Sequence, residues 1–295
     1  MRQKPLKNNV SQTIGGAGWW TAPPILPKKH ISPSQLESYT RCGEAYRRRY
    51  ILGQKIPPSI ALIKGISVHK SAEDNFSQKI VSGVDLKKSI VIDRAVSAFE
   101  EIVKNEGVWL APEEQSSKDL SLGEAKDESV EAASLFIDQV APDHQPKEVE
   151  ATQEIIMPNV DFTLLGRIDL ITDKEEIVDL KTGKKSLSQS DVDASTQLSF
   201  YDLTYRAKHK RPPAKLIIEQ IVSKKKGAER NTVATTRNAD DLQALVNRVN
   251  TMAVGLKAGV FIPATPGAWW CGARFCGYFA TCSYVNNKKS TAGIS

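Results

Sequence analysis

Between Phe162 and Lys181 the chain reads F-T-L-L-G-R-I-D-L-I-T-D-K-E-E-I-V-D-L-K. Two apolar runs each carry an acid at or near their end: Leu164 to Asp169, and Ile177 to Asp179, with Leu180 and Lys181 directly following. A short charged stretch, Thr172 to Glu176, separates them. The pattern predicts two antiparallel strands joined by a tight connection. Two aspartates at the ends of adjacent strands can converge on one hard divalent ion such as Mg²⁺ or Mn²⁺, which takes oxygen ligands. Such an ion activates water and neutralises phosphoryl charge, the two requirements of phosphodiester hydrolysis. Lys181 lies two residues beyond Asp179 and so points to the same side of its strand. There its ammonium can orient the attacking water or stabilise the charge that develops on phosphorus. The Leu180 carbonyl is placed to be a further oxygen ligand. On its own, Asp-x-Lys is common on wet strands. Here Ile177-Val178 runs straight into the acid and Leu180 follows, so Asp179 is expected at the end of a buried strand, where an acid is costly without a partner.

These residues must be positioned by the rest of a chain of 295 residues, long enough for one large domain or two small ones. A hydrophobic content of 40% and a charged content of 25% are those of an ordinary globular protein. The formal net charge of +6 permits a polyanionic partner without requiring one. No apolar run approaches the roughly 18 residues of a membrane span, so no membrane partner is expected. No G-x-x-x-x-G-K-[ST] motif is present, which argues against an ATP-driven motor. Residues 1–29 are basic and rich in Gly and Pro, lack an apolar signal core, and read as a flexible arm in which Trp19-Trp20 is a hydrophobic clip. A cytoplasmic location is expected.

Ser32-Pro33 is a helix start, with Ser32 as cap and Pro33 at the first turn. The helix it opens carries Leu36, Tyr39, Cys42, Tyr46 and Tyr50 on one side and Arg41, Arg47, Arg48 and Arg49 around it. Aromatic faces with guanidinium groups suit a nucleic-acid surface; a half-buried helix with a solvated basic edge is the plainer alternative. Ile60 to Ile80 reads as a second helix on which Gly65, His69 and Glu73 share a face. Residues 84–105 and 124–140 read as helices of an insertion spanning about 84–145, with Ala111 to Lys118 a polar loop. Glu150–Met157, Phe162–Ile171 and Glu176–Lys181 form a three-strand meander, with turns at Pro158-Asn159 and at Thr172 to Lys174. A helix is expected over Asp191–Lys208. A hairpin is expected over Ala214–Ser223 and Thr232–Arg237, with the basic loop Lys224 to Gly227 between its strands. Asp240–Lys257 reads as the last helix. This order predicts an α/β protein with three α/β/α layers around a mixed sheet. The core would span about 150–257 within a domain of 30–285, leaving 286–295 as a disordered tail.

The motifs G-R-I-D-L-I and V-D-L-K-T-G resemble those of the PD-(D/E)XK nuclease superfamily, in its RecB-like branch, which has a restriction-endonuclease-like fold. The resemblance extends over about residues 31–284 because further motifs fall in the same order. Gly65 to Glu73 is similar to the G-x-x-x-H-x-x-x-E helix of that branch, which implies His69 as a metal ligand and leaves Glu73 as a supporting acid or an ion-pair partner. Asp169 matches the first metal-binding acid; Asp179 and Lys181 match the second acid and the catalytic lysine. Gln197 to Tyr201 is similar to the Q-x-x-x-Y helix, which implies that Gln197 and Tyr201 lie by the site and touch DNA or orient the lysine. The resemblance implies a metal-dependent deoxyribonuclease of DNA recombination or repair, most simply an exonuclease acting on a DNA end with single-stranded character. It places the protein in a bacterium or a phage-infected cell and leaves room for a homo-oligomer or a helicase partner. A structure-specific endonuclease and a non-catalytic DNA-binding subunit are the alternatives; the intact His, Asp, Asp-x-Lys set speaks against the second.

Three of the four cysteines, Cys271, Cys276 and Cys282, fall within twelve residues, and Cys42 stands alone. Four thiolates suit an iron–sulfur cluster or zinc, and four reduced buried thiols are the plain alternative. The arrangement resembles the iron–sulfur staple of some RecB-like nucleases, such as the AddB subunit, the CRISPR adaptation exonuclease and enzymes of bacterial viruses. That implies a [4Fe–4S] cluster joining residue 42 to the C-terminal segment, with zinc as the alternative. The first C-terminal gap has four residues here, where two are more familiar.

Overall fold

In the computed structural model, residues 30–157 and 162–285 are described. The expectations for the arm 1–29 with Trp19-Trp20, for the Pro158-Asn159 turn and for the tail 286–295 lie outside them.

Six strands form one mixed sheet. Strands β2 (Pro146–Ile156), β3 (Thr163–Thr172) and β4 (Ile177–Gly183) make the expected antiparallel meander, with Val149 opposite Leu170 and Leu170 opposite Val178. The β3–β4 turn closes through a bond from the Glu175 N–H to the Thr172 carbonyl, with Glu175 in the left-handed region at φ 62°. Strand β5 (Leu216–Lys224) lies parallel to β4, pairing Glu219 with Leu180, and β6 (Gly227–Thr235) returns antiparallel to β5. The central strands read as near-continuous apolar runs because helices cover both faces. A two-residue strand that the sequence did not reveal, β1 (His30–Ile31), runs parallel to the start of β3. Its brevity hides it from any periodicity.

Two helical layers sandwich the sheet. On one face lie α3 (Ile60–Ser82), α4 (Lys88–Glu106) and α5 (Lys118–Leu135). Their core joins Val68, Phe76 and Phe136 to Leu170, Val178 and Leu180. On the other face lie α6 (Gln189–Asp193) and α7 (Thr196–His209), where Leu198, Tyr201 and Tyr205 meet Ile168, Ile177 and Ile218. A third cluster packs α1 (Pro33–Arg41), the short α2 (Gly43–Tyr46) and α8 (Ala239–Lys257) around Leu164 and Phe200. Among the described residues no helix is long and apolar enough to cross a membrane.

Four local expectations need correction. The first helix does not run on to Tyr50: Cys42 is extended at φ −163°, its side chain caps α2, and residues 47–51 form a π turn. Tyr46 is therefore buried against Tyr39, Tyr50 and Phe261 rather than presented for stacking. The guanidinium groups of Arg47 and Arg48 close on Glu44, at 2.8 and 2.7 Å, rather than on a phosphate surface. The helix expected over 191–208 breaks at residues 194–195, because Ser195 caps α7 through the Leu198 N–H at 3.3 Å. The β5–β6 hairpin turns tightly at Lys225-Lys226, with Gly227 at φ 113° opening β6 early. Residues 112–117 form a 3-10 turn leading directly into α5, where an open loop was expected.

Candidate active site

The site begins as a gap in the sheet. One edge of β3 pairs with β2 along nearly its full length. The other edge is shared by two short ladders, β1 at Thr163-Leu164 and β4 at Leu170-Ile171. Residues 165–169 are left without a ladder partner on that edge. Asp169 would face Asp179 if the β3–β4 pairing continued, but the strands diverge there. The Leu180 N–H instead donates to Asp169 Oδ2 at 3.1 Å. A residue's N–H and C=O leave an extended strand on the same edge, so the Leu180 carbonyl faces the gap too.

Alternation along β4 sends Val178 and Leu180 into the α3 face and Ile177, Asp179 and Lys181 toward α7. Lys181 Nζ lies 2.7 Å from Asp179 Oδ2 and donates to Gln197 Oε1 at 2.6 Å. Gln197 Nε2 in turn donates to the Tyr201 hydroxyl at 2.6 Å. From the opposite layer His69 Nδ1 comes within 3.3 Å of Asp169 Oδ2. Five of the implied residues, His69, Asp169, Lys181, Gln197 and Tyr201, line one cleft of about 990 Å³, with Asp179 buried behind Lys181; Glu73 also faces the cleft, paired with Lys70 at 3.0 Å.

The electrostatics follow from this packing. Asp179 is 1% exposed, and neither carboxylate oxygen has an oriented hydrogen bond although the Lys181 ammonium is close. Burial, with the Asp169 charge adding to it and Lys181 opposing, raises its carboxyl to about 6. Burial would raise Asp169 as well, but His69, Lys181 and the Leu180 N–H outweigh it and lower this acid. Burial alone would lower His69 and Lys181; the neighbouring carboxylates hold both above their usual values. Burial raises the Tyr201 hydroxyl well above its usual value, and the two aspartates add to the effect, so it stays neutral.

Two residues that the sequence did not single out belong to the cleft. Glu150 lies on β2 across from Asp169, in the strained left-handed conformation at φ 49°. Burial, then the charge of Asp169, raises its carboxyl. Arg167, two residues before Asp169, lines the same cleft and pairs with Glu150. The register of β2 against β3 is the signal that would have found Glu150.

Among the described residues no group of three or more His, Cys, Asp or Glu is already arranged as a metal shell. In the acidic cleft the reason is visible: His69 and Lys181 take up the aspartate oxygens as counter-charges. The donor set nevertheless fits a hard divalent ion, because a buried carboxylate without oriented donors and a second carboxylate flank a gap lined by backbone oxygen.

The four cysteines are all free and partly exposed. Cys42 Sγ accepts from the N–H groups of Ala45 and Ala264 at 3.5 and 3.3 Å, and Cys276 is bonded by the Tyr278 backbone. Burial raises the thiols of Cys271 and Cys276, and the nearby cysteines add to it. Two of the sulfurs accept N–H donors, but among the described residues the four do not close into a four-thiolate shell.

A fold of this topology with an acid pair and lysine at a splayed hairpin defines a nuclease scaffold. The model of the PD-(D/E)XK nuclease superfamily matches residues 30–283, and the chain belongs to that superfamily. No curated protein sequence matches it. The crystal structure of a "putative exonuclease" from Eubacterium rectale aligns with a TM-score of 0.52 and 13% identity, covering 90% of this chain and 94% of that one. A second solved structure, SSO0001, covers 88% of each chain at 14% identity with a TM-score of 0.39.

Proposed function

We propose that this chain is a metal-dependent deoxyribonuclease of the RecB-like branch, acting as an exonuclease. The observation that carries the reading is the gap between β3 and β4, where Asp169, Asp179 and the edge of Leu180 converge within reach of His69 and Lys181. His69, Asp169, Asp179 and the Leu180 carbonyl would hold Mg²⁺ or Mn²⁺. The ion supplies an acidified water and a counter-charge for the phosphoryl oxygens. Lys181, held between Asp179 and Gln197, keeps an ammionium donor at the point where a water or phosphoryl oxygen enters. Gln197 fixes that ammonium and is itself fixed by Tyr201. Glu150 and Glu73 add negative charge at the cleft wall, and Arg167 is a further cation lining it. The name given to the Eubacterium rectale neighbour agrees with the exonuclease reading.

The test is hydrolysis of end-labelled linear DNA beside a circular single strand, with Mn²⁺ or Mg²⁺ and with EDTA. Mononucleotides released from linear DNA only, and only with metal, support the exonuclease. Cutting of the circle makes it an endonuclease. Binding without any cleavage leaves a DNA-binding scaffold and overturns the reading.

For the four cysteines the same reading assigns a structural [4Fe–4S] cluster, with zinc as the alternative. What supports it is the spacing of the C-terminal cysteines, the electrostatic influence of Cys42 and Cys282 on Cys271, and the N–H donors on Cys42 and Cys276. A broad brown absorbance of anaerobically purified protein, lost in Cys276→Ser, is the expected result. A colourless protein containing zinc selects the alternative, and a colourless, metal-free one rejects both.

A further inference from the structure

A second cavity, of about 670 Å³, opens between α1, the start of α3 and the cysteine-rich segment. It adjoins the acidic cleft, since Ser34, Glu37, Leu62 and Ile66 line both. Leu62 and Ile66 sit one turn apart on α3, 51% and 40% exposed, and the same stripe of the helix leads on to His69 and Glu73. An apolar entrance thus runs into the acid site along a single helix.

The far wall is aromatic. Trp269 and Phe275 are 66% and 50% exposed and meet edge to face at 5.0 Å. Trp270 packs against Trp269 and donates its indole N–H to the Arg41 carbonyl at 3.3 Å, which anchors the pair to α1. Arg41 and Arg49 line the cavity, and the Arg274 guanidinium lies 5.6 Å from the Phe275 ring centre while pairing with Glu113. Glu37 and Glu106 are the acids of this wall.

An occupant that spans both cavities must offer flat apolar faces at one end and a phosphodiester at the other. We propose that unpaired nucleotides of a single DNA strand stack on Trp269 and Phe275 as the strand passes to the carboxylates, so that this rim selects single-stranded ends. The inference rests on the nuclease reading and deepens it. Unpaired bases present their faces to such rings, whereas a duplex keeps its bases stacked on one another and gains nothing there. The two arginines suit the phosphates between the stacked bases.

The test uses the full chain with all four cysteines intact, carrying Trp269→Ala and Phe275→Ala together; both side chains are exposed, so the fold is not at stake. Three measurements are made. The affinity for fluorescein-labelled oligo(dT) and for a blunt duplex is read by anisotropy in an Asp179→Asn background. Hydrolysis of bis(4-nitrophenyl) phosphate with Mn²⁺, which needs only the acid site, is read in the otherwise unaltered chain. Expected are a loss of about tenfold or more in oligo(dT) affinity, unchanged duplex affinity and unchanged ester hydrolysis. Equal oligo(dT) affinity in the two proteins, an equal loss for duplex, or no oligo(dT) binding in the parent would overturn the proposal. Absence of ester and DNA hydrolysis in the parent, with the oligo(dT) loss intact, would instead strike the nuclease reading.

Discussion

At the scale of single residues the cleft is a balance of opposed charges. Asp179 is buried with the Lys181 ammonium beside it, and Lys181 is held in turn by Gln197. Replacing Lys181 by Ala removes the ammonium held between Asp179 and Gln197. Hydrolysis is expected to fall by about a hundredfold or more, with the far-ultraviolet spectrum unchanged. Mn²⁺ is expected to raise the melting temperature of the parent by mass action and to leave Asp179→Asn unmoved; an equal shift in both would place the ion elsewhere. A second buried acid, Glu219, sits beside Leu180 on β5 and lines the space behind Asp169. Burial would raise it, but bonds from His144, Arg230 and Thr232 outweigh this and hold it at about 2. A folded value below the unfolded one means that the unfolded chain binds protons more readily. The stability from Glu219 is therefore full above the ordinary value of 4.5 and drains away as pH falls toward about 2. Urea melts of Glu219→Gln are expected to lack that acid slope, worth about 3 kcal/mol in the parent.

At the scale of elements, the site depends on how closely α7 approaches β3. A side chain on Gly166 would place its Cβ 3.1 Å from Thr204 Oγ1 and 3.7 Å from the Tyr201 ring. The missing side chain lets the helix sit low enough for Gln197 to reach Lys181. Gly166→Val is expected to cost about 1–3 kcal/mol through overpacking and to lower kcat by shifting Gln197 and Tyr201. Adding Thr204→Ala opens the space and is expected to restore much of both, read by thermal melts and by nuclease assay. Failure of that rescue would mean that Gly166 serves the strand rather than the helix contact.

At the scale of the whole molecule, direct contacts clasp the C-terminal segment to the N-terminal helices. The Gly43 N–H donates to the Ile262 carbonyl at 2.7 Å, and Arg48 bonds Thr281 at 2.8 Å. The Tyr278 hydroxyl reaches the Gln54 carbonyl. A Cβ on Gly43 would lie 2.6 Å from the Ile262 nitrogen, so Gly43→Ala forces the two backbones apart. The expected result is a lower melting temperature and faster proteolysis after residue 260, with the acid cleft still binding Mn²⁺. A proteolysis rate equal to the parent's would show that other contacts carry the clasp.

The sequence by itself determined the acid pair, the lysine and the order of the motifs, because each rests on short-range rules. An apolar run ending on an acid marks a buried strand end, and residues one turn apart share a helix face. Hence Asp169, Asp179 and Lys181 stand out as candidates from the sequence, as do the meander and most helices, while His69, Gln197 and Tyr201 are implied by the resemblance of their motifs to those of the superfamily. Only the tertiary structure decided what lies across from these residues. The gap beside β3 exists because β1 and β4 share one edge and leave its middle open. Glu150 enters the site through strand register and a left-handed backbone, neither of which its neighbours in sequence disclose. Tyr46 and Arg48, which read as a surface for nucleic acid, were turned inward by the break at Cys42 and by Glu44. Trp269 and Phe275 acquired meaning only when Trp270 met Arg41, since a contact between residues more than two hundred positions apart leaves no local pattern.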